Sequence, residues 1–181
     1  ISPDDFEDIA DNTNDQQASL IYQAYETELK NSNAMDFDDL LANMIRLLET
    51  SRETLDKLQN RFRYILVDEY QDTNRAQYIA IKLLAKARSN ICVVGDDAQS
   101  IYRWRGADIR NILDFQKDYP YAKVVRLEQN YRSTANILEA ANSVILNNRE
   151  RIKKKLISNK GQGDEITCFE AQDESQEAHF V

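Results

Sequence analysis

Two adjacent acids, Asp68 and Glu69, directly follow a short apolar run at residues 64–67. The run is brief, bounded and rich in β-forming residues, which is typical of a parallel strand covered on both faces. In open α/β sheets, ligands bind at the carboxyl ends of such strands. There one carboxylate of the pair is suited to hold Mg²⁺, and its neighbour is suited to accept a proton from an attacking water. Two surface acids that simply end a core strand are the alternative.

Two further apolar runs also end in polar residues. The first runs from Ile91 to Val94 and leads into a stretch, Gly95 to Ala107, that holds acids, an amide, aromatic residues and arginines. The second runs from Lys123 to Leu127 and leads into an acid, amides, a tyrosine and an arginine. Because strands and helices alternate along the chain, we predict parallel βαβ units. One shared site then explains three polar strand ends better than three unrelated surface clusters.

Helical periodicity accounts for the segments between these runs. Asp36, with Asp39 three residues later, predicts the N-terminus of an amphipathic helix. The first thirty residues are also predicted to be helical. The remaining predictions are helices from about Asp72 or Thr73, from about 108 to 117 and from Ser133, a strand from Glu165 to Phe169, and the start of a helix at 173–181.

Three long strings carry a family resemblance: VDEYQDTN at 67–74, VVGDDAQSIYRWRGA at 93–107 and LEQNYRST at 127–134. In this order they resemble motifs of the superfamily 1 DNA helicases of the UvrD, Rep and PcrA type. The similar stretch runs from about Met35 to Leu156. The resemblance implies an α/β fold, part of a RecA-like P-loop NTPase with a parallel sheet flanked by helices. It also implies an ATP-dependent helicase that moves 3′ to 5′ along DNA.

The resemblance assigns ATP and Mg²⁺ as cofactors and gives several residues roles around the nucleotide. Asp68 is implied as the metal partner and Glu69 as the general base. Gln99 resembles a glutamine that senses the γ-phosphate, and Arg132 an arginine that reaches it; guanidinium offers the phosphate two parallel hydrogen bonds. Tyr131 resembles an aromatic residue that stacks on adenine, with core packing as the alternative.

Tyr102, Trp104 and Arg105 form the DNA-facing group by resemblance, with single-stranded DNA and DNA junctions as the implied partners. Aromatic rings bind single strands by stacking on bases, with little sequence preference. A partly buried tryptophan covered by cation–π contacts is the alternative for Trp104. Since Gln99 and Trp104 are five residues apart, we expect the state of the γ-phosphate and base stacking to be coupled through one loop.

The chain resembles the middle of a longer enzyme. It starts at Ile1 rather than at methionine, and its four glycines cannot form a P-loop. By resemblance, that loop is expected upstream of Ile1 and later motifs beyond Val181, so the chain alone is expected to be inactive. The implied organisation is the tail of a helical insertion at 1–34, part of a first motor domain at 35–132, a helix and basic linker at 133–163, and the start of a second motor domain at 164–181.

Two other classes of protein remain open. One is a non-catalytic module that binds nucleic acid or protein and has lost the P-loop. The other is the helicase part of a helicase–nuclease. Repair or replication proteins are further partners compatible with the family, and the sequence does not choose among these pathways.

Charge is distributed unevenly along the chain. The net charge is −8, but residues 1–20 and 164–181 each carry six acids and no base, which leaves 21–163 at +4. The centre is therefore compatible with DNA binding although the whole chain is acidic. Residues 149–160 are dense in lysine and arginine. We predict a linker or exposed basic turn there, with a solvated helix end as an equal alternative to a phosphate contact.

Other functional classes find little support. The single histidine, His179, excludes a site built on several histidines. Cys92 and Cys168 lack metal-ligand spacing, so we predict two reduced, buried thiols. The sequence has no apolar run long enough to span a bilayer and no secretory leader, which makes the cytoplasm the expected location.

Overall fold

The computed structural model describes residues 3–148 and 151–181. Its α-helices are α1 (Pro3–Ile9), α2 (Thr13–Asn31), α3 (Phe37–Thr50), α4 (Arg52–Arg61), α5 (Arg75–Ala85), α6 (Arg110–Leu113), α7 (Phe115–Asp118), α8 (Ala135–Ile145) and α9 (Glu174–Phe180). Its strands are β1 (Ile65–Val67), β2 (Ile91–Val93), β3 (Gln129–Asn130) and β4 (Ile157–Ser158). Short 3₁₀ turns cover Tyr70–Asp72, Asp97–Gln99 and Arg103–Arg105.

Local capping sets where the central helices begin. Asp36 accepts a hydrogen bond from the Asp39 backbone N–H, and Asp39 accepts one from the Asp36 N–H, so the predicted start of α3 is confirmed. Asn74 and Gln77 cap α5 in the same reciprocal way. Each pair satisfies backbone donors that a helix N-terminus otherwise leaves free. Helix α5 therefore begins after the 3₁₀ turn that follows β1.

The core lies where α3, α4 and α5 pack together beside β1 and β2. Leu48 of α3, Leu55 of α4 and Ala80 of α5 are buried there. The Gln59 Nε2 amide of α4 donates to the Leu83 carbonyl of α5 at 2.7 Å.

Two small parallel sheets are present. β1 pairs with β2 in the register Ile65 to Ile91, with α5 between them in sequence, which confirms the predicted parallel βαβ unit. β3 pairs with β4 in the register Gln129 to Ile157. The fold is therefore a mixture of helices with small parallel sheets.

Two of the strand predictions are wrong. Residues 123–127 and 165–169 have no strand conformation, and pairing starts only at Gln129. A strand needs a neighbour that exchanges backbone hydrogen bonds with it. β4 provides that neighbour for Gln129 and Asn130, whereas no described strand pairs with residues 123–127. Apolar composition therefore failed to predict where pairing occurs.

Burial and continuity also differ from the predictions. Leu66 is 76% exposed, whereas Ile65 and Val67 on either side of it are partly buried, so the described residues cover β1 on one face only. Cys92 and Cys168 are free, as predicted, but exposed rather than buried. The helix predicted at 108–117 is divided into α6 and α7 at Asp114. Helix α4 was not predicted.

The helix predictions at the two ends are confirmed. Helices α1 and α2 occupy most of the first thirty residues, and Asp173 caps α9. Part of the predicted basic linker, residues 149 and 150, lies outside the described residues. No helix in the described ranges is long and apolar enough to cross a membrane.

Candidate functional site

The two acids stand at the end of β1 on an unusual backbone. Both side chains are exposed. Asp68 Oδ1 accepts a hydrogen bond from the Glu69 backbone N–H at 2.9 Å, and the Glu69 carbonyl accepts one from the Asp72 N–H at 2.9 Å. Glu69 has φ of +49°, a left-handed conformation that costs an L-residue free energy. Such strained residues cluster at functional sites.

Gln71 connects the turn that carries Asp68 and Glu69, the acidic turn, with the loop after β2. Nothing in the sequence had assigned Gln71 a role. Its side chain is 1% exposed. The Nε2 amide donates to Glu69 Oε2 at 2.7 Å, and Oε1 accepts the Asp96 backbone N–H at 3.0 Å. One amide thus contacts both a candidate catalytic acid and the neighbouring loop.

Gly95 makes that approach possible. A Cβ at Gly95 would lie 2.5 Å from Gln71 Oε1 and 2.8 Å from Ile112 Cδ1. A glycine directly after a strand is a known signal of close backbone approach. It is the one feature of the sequence that indicates the contact, although it does not identify Gln71 as the partner.

The loop after β2 is organised by Asp96, another residue that the sequence analysis passed over. Its Oδ1 accepts the Ala98 backbone N–H at 2.9 Å and its Oδ2 accepts the Gln99 Nε2 amide at 3.0 Å. Lys154 from the basic segment forms an ion pair with the same carboxylate. Burial acts to raise the pKa of Asp96, but the hydrogen bonds from Lys154 and Gln99 outweigh it and lower the pKa.

A cleft of about 390 Å³ opens beside the acids. Asp68, Glu69 and Asp72 form its polar side, and Leu41, Met44 and Ile81 contribute to its apolar side. The buried Asp72 Oδ1 has no hydrogen-bond partner among the described residues. The cleft is therefore lined by three carboxylate-bearing residues.

The donor set fits a weakly held magnesium ion rather than a protein-only metal cage. Within residues 3–148 and 151–181, no group of three or more His, Cys, Asp or Glu side chains is arranged to hold a metal ion. Mg²⁺ in nucleotide sites takes one or two carboxylates and completes its shell with water and phosphate oxygens. The exposed Asp68 carboxylate meets that requirement.

Tyr102, Trp104 and Arg105 lie together on the surface. Trp104 is 74% exposed, so the described residues bury little of it, although it has the cation–π contact of the alternative interpretation. The Arg105 guanidinium lies 4.5 Å from the Trp104 ring centroid and 5.4 Å from that of Tyr102. Gly106, with φ of +84°, lets the chain turn after this group.

Residues 100–107 form the loop that carries Tyr102, Trp104 and Arg105, the aromatic loop. Hydrogen bonds to the backbone hold it against the acidic turn. Ser100 Oγ donates to the Gln71 carbonyl at 3.3 Å. The Asp108 N–H donates to the Thr73 carbonyl at 3.1 Å, and Asn74 and Ala107 form an antiparallel bridge. Both ends of the aromatic loop therefore contact the segment that follows Glu69.

Tyr131 and Arg132 follow β3 and form a separate group. Tyr131 is 79% exposed, so core packing does not account for it. The Asn130 side chain accepts the Arg132 N–H at 2.9 Å, and Lys160 Nζ donates to the Arg132 carbonyl at 3.1 Å. Among the described residues, no hydrogen bond or ion pair joins Arg132 to Glu69 or Gln99.

Comparison with known proteins adds two family matches. Residues 1–120 match the UvrD/REP helicase N-terminal domain, and residues 125–181 match the UvrD-like helicase C-terminal domain. Asp68, Glu69, Gln99 and Trp104 thus fall in the first match, and Arg132 falls in the second.

Individual relatives agree with these matches. The chain is 51% identical over its whole length to the "ATP-dependent DNA helicase PcrA" of Leuconostoc citreum, covering 24% of that protein. It is 52% identical over 99% of its length to the protein of the same name from Staphylococcus epidermidis, covering 25% of it. The chain therefore spans about a quarter of the length of these curated relatives. These matches show that the chain belongs to the UvrD/REP helicase family.

Proposed function

We propose that this chain is part of an ATP-dependent DNA helicase that couples hydrolysis of Mg²⁺-bound ATP to 3′-to-5′ movement on single-stranded DNA. The observation that carries the proposal is the chain of hydrogen bonds from Glu69 through Gln71 to the Asp96 loop, and from Asp96 to Gln99. This path connects a candidate base to the loop that continues into Trp104. A binding module without hydrolysis would have no need for that connection.

Glu69 acts in this proposal as the general base. Its exposed carboxylate is held by Gln71 and accepts a proton from the water that attacks the γ-phosphate. Asp68 would hold Mg²⁺, which when bound neutralises charge on the phosphate oxygens. Positioning and electrostatics supply most of the rate in phosphoryl transfer, so fixing Glu69 and Asp68 on adjacent positions of a strained turn serves the reaction.

Gln99 and Arg132 would respond to the γ-phosphate. The Gln99 amide can donate to a phosphate oxygen and accept from water, but in this structure it donates to Asp96. Arg132 is exposed, and its guanidinium has no hydrogen bond or ion pair to another described residue, so it can form two hydrogen bonds to a phosphate. Tyr131, exposed beside it, would stack on the adenine. Bringing Arg132 to the nucleotide held by Asp68 would require the two family-matched parts to approach each other.

Tyr102, Trp104 and Arg105 would bind the DNA strand, with junctions as a further DNA substrate. Stacking on an aromatic ring contributes about 1 to 3 kcal/mol per base, and Arg105 adds a cation beside the phosphates. Because both ends of the aromatic loop contact residues that follow Glu69, a shift at the nucleotide can move the stacking platform.

We further propose a RecA-like motor fold that is completed by other parts of the intact protein. The helical residues 1–34 would belong to an inserted subdomain, 35–132 to the first motor domain, and 133–163 and 164–181 to the linker and start of the second. The phosphate-binding loop would also come from elsewhere, since the four glycines of this chain are not arranged as one. Repair or replication proteins would act on the same assembly.

The test is ATP hydrolysis by the full-length protein, with and without single-stranded DNA, compared with a Glu69→Gln variant. We expect strong stimulation by DNA and a loss of about 10²-fold or more in kcat for the variant, which keeps the size of the side chain but not its basicity. Glu49→Gln, on an exposed position of α3, is the matched control and should behave as the unchanged protein. The 181-residue chain alone should be inactive. An inactive full-length protein that still binds single-stranded DNA would favour the non-catalytic module instead.

A further inference from the structure

Lys154 differs from the lysines on either side of it. Lys153 and Lys155 are exposed, whereas the Lys154 side chain is 21% exposed. Its ammonium forms an ion pair with Asp96 and lies 3.7 Å from Asp97 Oδ1. The basic segment is therefore not a simple exposed linker, since one of its cations is inserted between two acids of the loop after β2.

The backbone of the same segment makes a second attachment. The Ile152 N–H donates to Asp97 Oδ2 at 3.0 Å, across 55 positions of sequence. Asp97 is buried, and without a cation nearby two adjacent carboxylates would be withdrawn from water together. Lys154 and the Ile152 N–H thus stabilise the negative charge of the Asp96 and Asp97 carboxylates.

Asp96 passes this contact on to Gln99. One of its oxygens is shared by Lys154 and the Ala98 N–H, and the other accepts the Gln99 amide. A displacement of the carboxylate would therefore move the acceptor of the amide that the proposed function assigns to γ-phosphate sensing. Lys154 contacts neither Gln99 nor the acids after β1 by a described hydrogen bond. Of the two acids that it pairs with, Asp96 is the one whose carboxylate accepts the Gln99 amide, so we expect its effect on Gln99 to pass through Asp96.

The contact also crosses between the two family matches. Asp96 lies within the N-terminal-domain match at 1–120 and Lys154 within the C-terminal-domain match at 125–181. An ion pair between them changes whenever these two parts of the chain move relative to each other.

We propose that Lys154 is a positioning residue that holds Asp96 and thereby sets whether Gln99 is retained in its loop or released toward the nucleotide. This inference rests on the proposed function and adds to it a connection between the two family-matched parts. Lys154 would act on the coupling of hydrolysis to DNA rather than on nucleotide binding.

The experiment measures kcat and KM for ATP in the full-length protein, with and without single-stranded DNA, for Lys154→Met, Lys154→Arg and the neighbouring control Lys153→Met. For Lys154→Met we expect DNA stimulation of kcat to fall about tenfold while KM changes less than about twofold. Lys154→Arg retains the cation and should recover most of the stimulation. Lys153→Met, which removes the same charge from an exposed position, should match the unchanged protein.

A second comparison tests whether the effect passes through Gln99. If it does, adding Lys154→Met to Gln99→Ala should lower DNA stimulation little beyond Gln99→Ala alone. Independent, multiplicative losses would overturn the proposal, as would equal behaviour of Lys154→Met and Lys153→Met. If Lys154→Met does not fold, Asp96→Asn combined with Lys154→Met removes the nearer of the two carboxylates that the lysine pairs with, leaves Asp97 its hydrogen bond from the Ile152 N–H, and must show the same loss. If the full-length protein without substitutions shows no DNA-stimulated hydrolysis, the proposed function itself is refuted. That outcome can be distinguished from one in which only the predictions for the Lys154 variants fail.

Discussion

Replacing Gln71 by leucine should lower the free energy of unfolding and leave the Asp96 backbone N–H without its hydrogen-bond acceptor. The substitution keeps a side chain of similar size but removes three side-chain hydrogen bonds of a residue that is almost fully buried, of which the bond to Asp72, at 3.4 Å, is the weakest. The lost bond to Glu69 at 2.7 Å ends on an exposed carboxylate, so we assign it about 1 kcal/mol. The Asp96 N–H, 3.0 Å from Gln71 Oε1, loses its acceptor, which costs about 1 to 3 kcal/mol. Leucine recovers about 1 kcal/mol through its larger apolar transfer free energy.

The expected net loss is therefore about 1 to 3 kcal/mol in the free energy of unfolding, measured by urea unfolding of the 181-residue chain. Gln71→Glu should be worse, because it places a carboxylate in a buried position against Glu69. Gln116→Leu, on an exposed position of α7, is the matched control and should change stability by less than about 0.5 kcal/mol. Hydrogen exchange adds a local measurement, since the Asp96 amide should exchange faster in Gln71→Leu. A stability within the range of the control, together with unchanged exchange at Asp96, would refute the bridging role.

Two further predictions concern the backbone at Glu69 and an ion pair at the edge of the core. Glu69→Gly should be more stable than Glu69→Ala by about 0.5 to 1 kcal/mol in urea unfolding. Glycine relieves the strain of the left-handed conformation, but part of that stabilisation is lost because glycine loses more conformational entropy on folding. Equal stabilities of the two variants would contradict a strained turn. Asp118 accepts hydrogen bonds from Lys82 Nζ at 2.8 Å and Tyr78 Oη at 2.6 Å. Its burial acts to raise its pKa, but these bonds outweigh it and lower the pKa. The carboxylate therefore adds stability above its unfolded pKa of about 3.9, and the deficit of Asp118→Asn should be present at pH 7 and shrink as the pH falls below about 4. A deficit independent of pH would contradict the ionic origin.

Local signals in the sequence were enough to predict most helices. Asp36 and Asp39 predicted α3 because a capping box involves residues only three apart. The apolar runs before Asp68 and Gly95 predicted β1 and β2, and the parallel pairing followed from the helix between them. Helix α4 was missed because its sequence is mostly polar and buries little apolar surface.

Pairing and burial were predicted less well, because they depend on residues distant in sequence. The run at 123–127 has the composition of a strand but lacks a partner, whereas the less apolar Gln129 and Asn130 pair with β4. Leu66 and Cys92 are apolar or weakly polar, yet they face the uncovered side of a two-stranded sheet. The composition of a segment indicates whether it can form a strand or be buried, but whether it does so depends on the residues that pack and pair with it.

The candidate site divides in the same way between residues that could contact ligands and residues that hold them. The motifs identified Asp68, Glu69 and Gln99 by type and position at strand ends. Gln71 and Lys154 escaped notice because their importance lies in contacts with Asp96 across 25 and 58 positions of sequence. Both act on one loop from opposite directions: Gln71 holds its backbone from the acidic turn, and Lys154 holds its carboxylate from the basic segment. A nucleotide signal at Glu69 and a movement of the basic segment would therefore reach Gln99 through the same residue, Asp96.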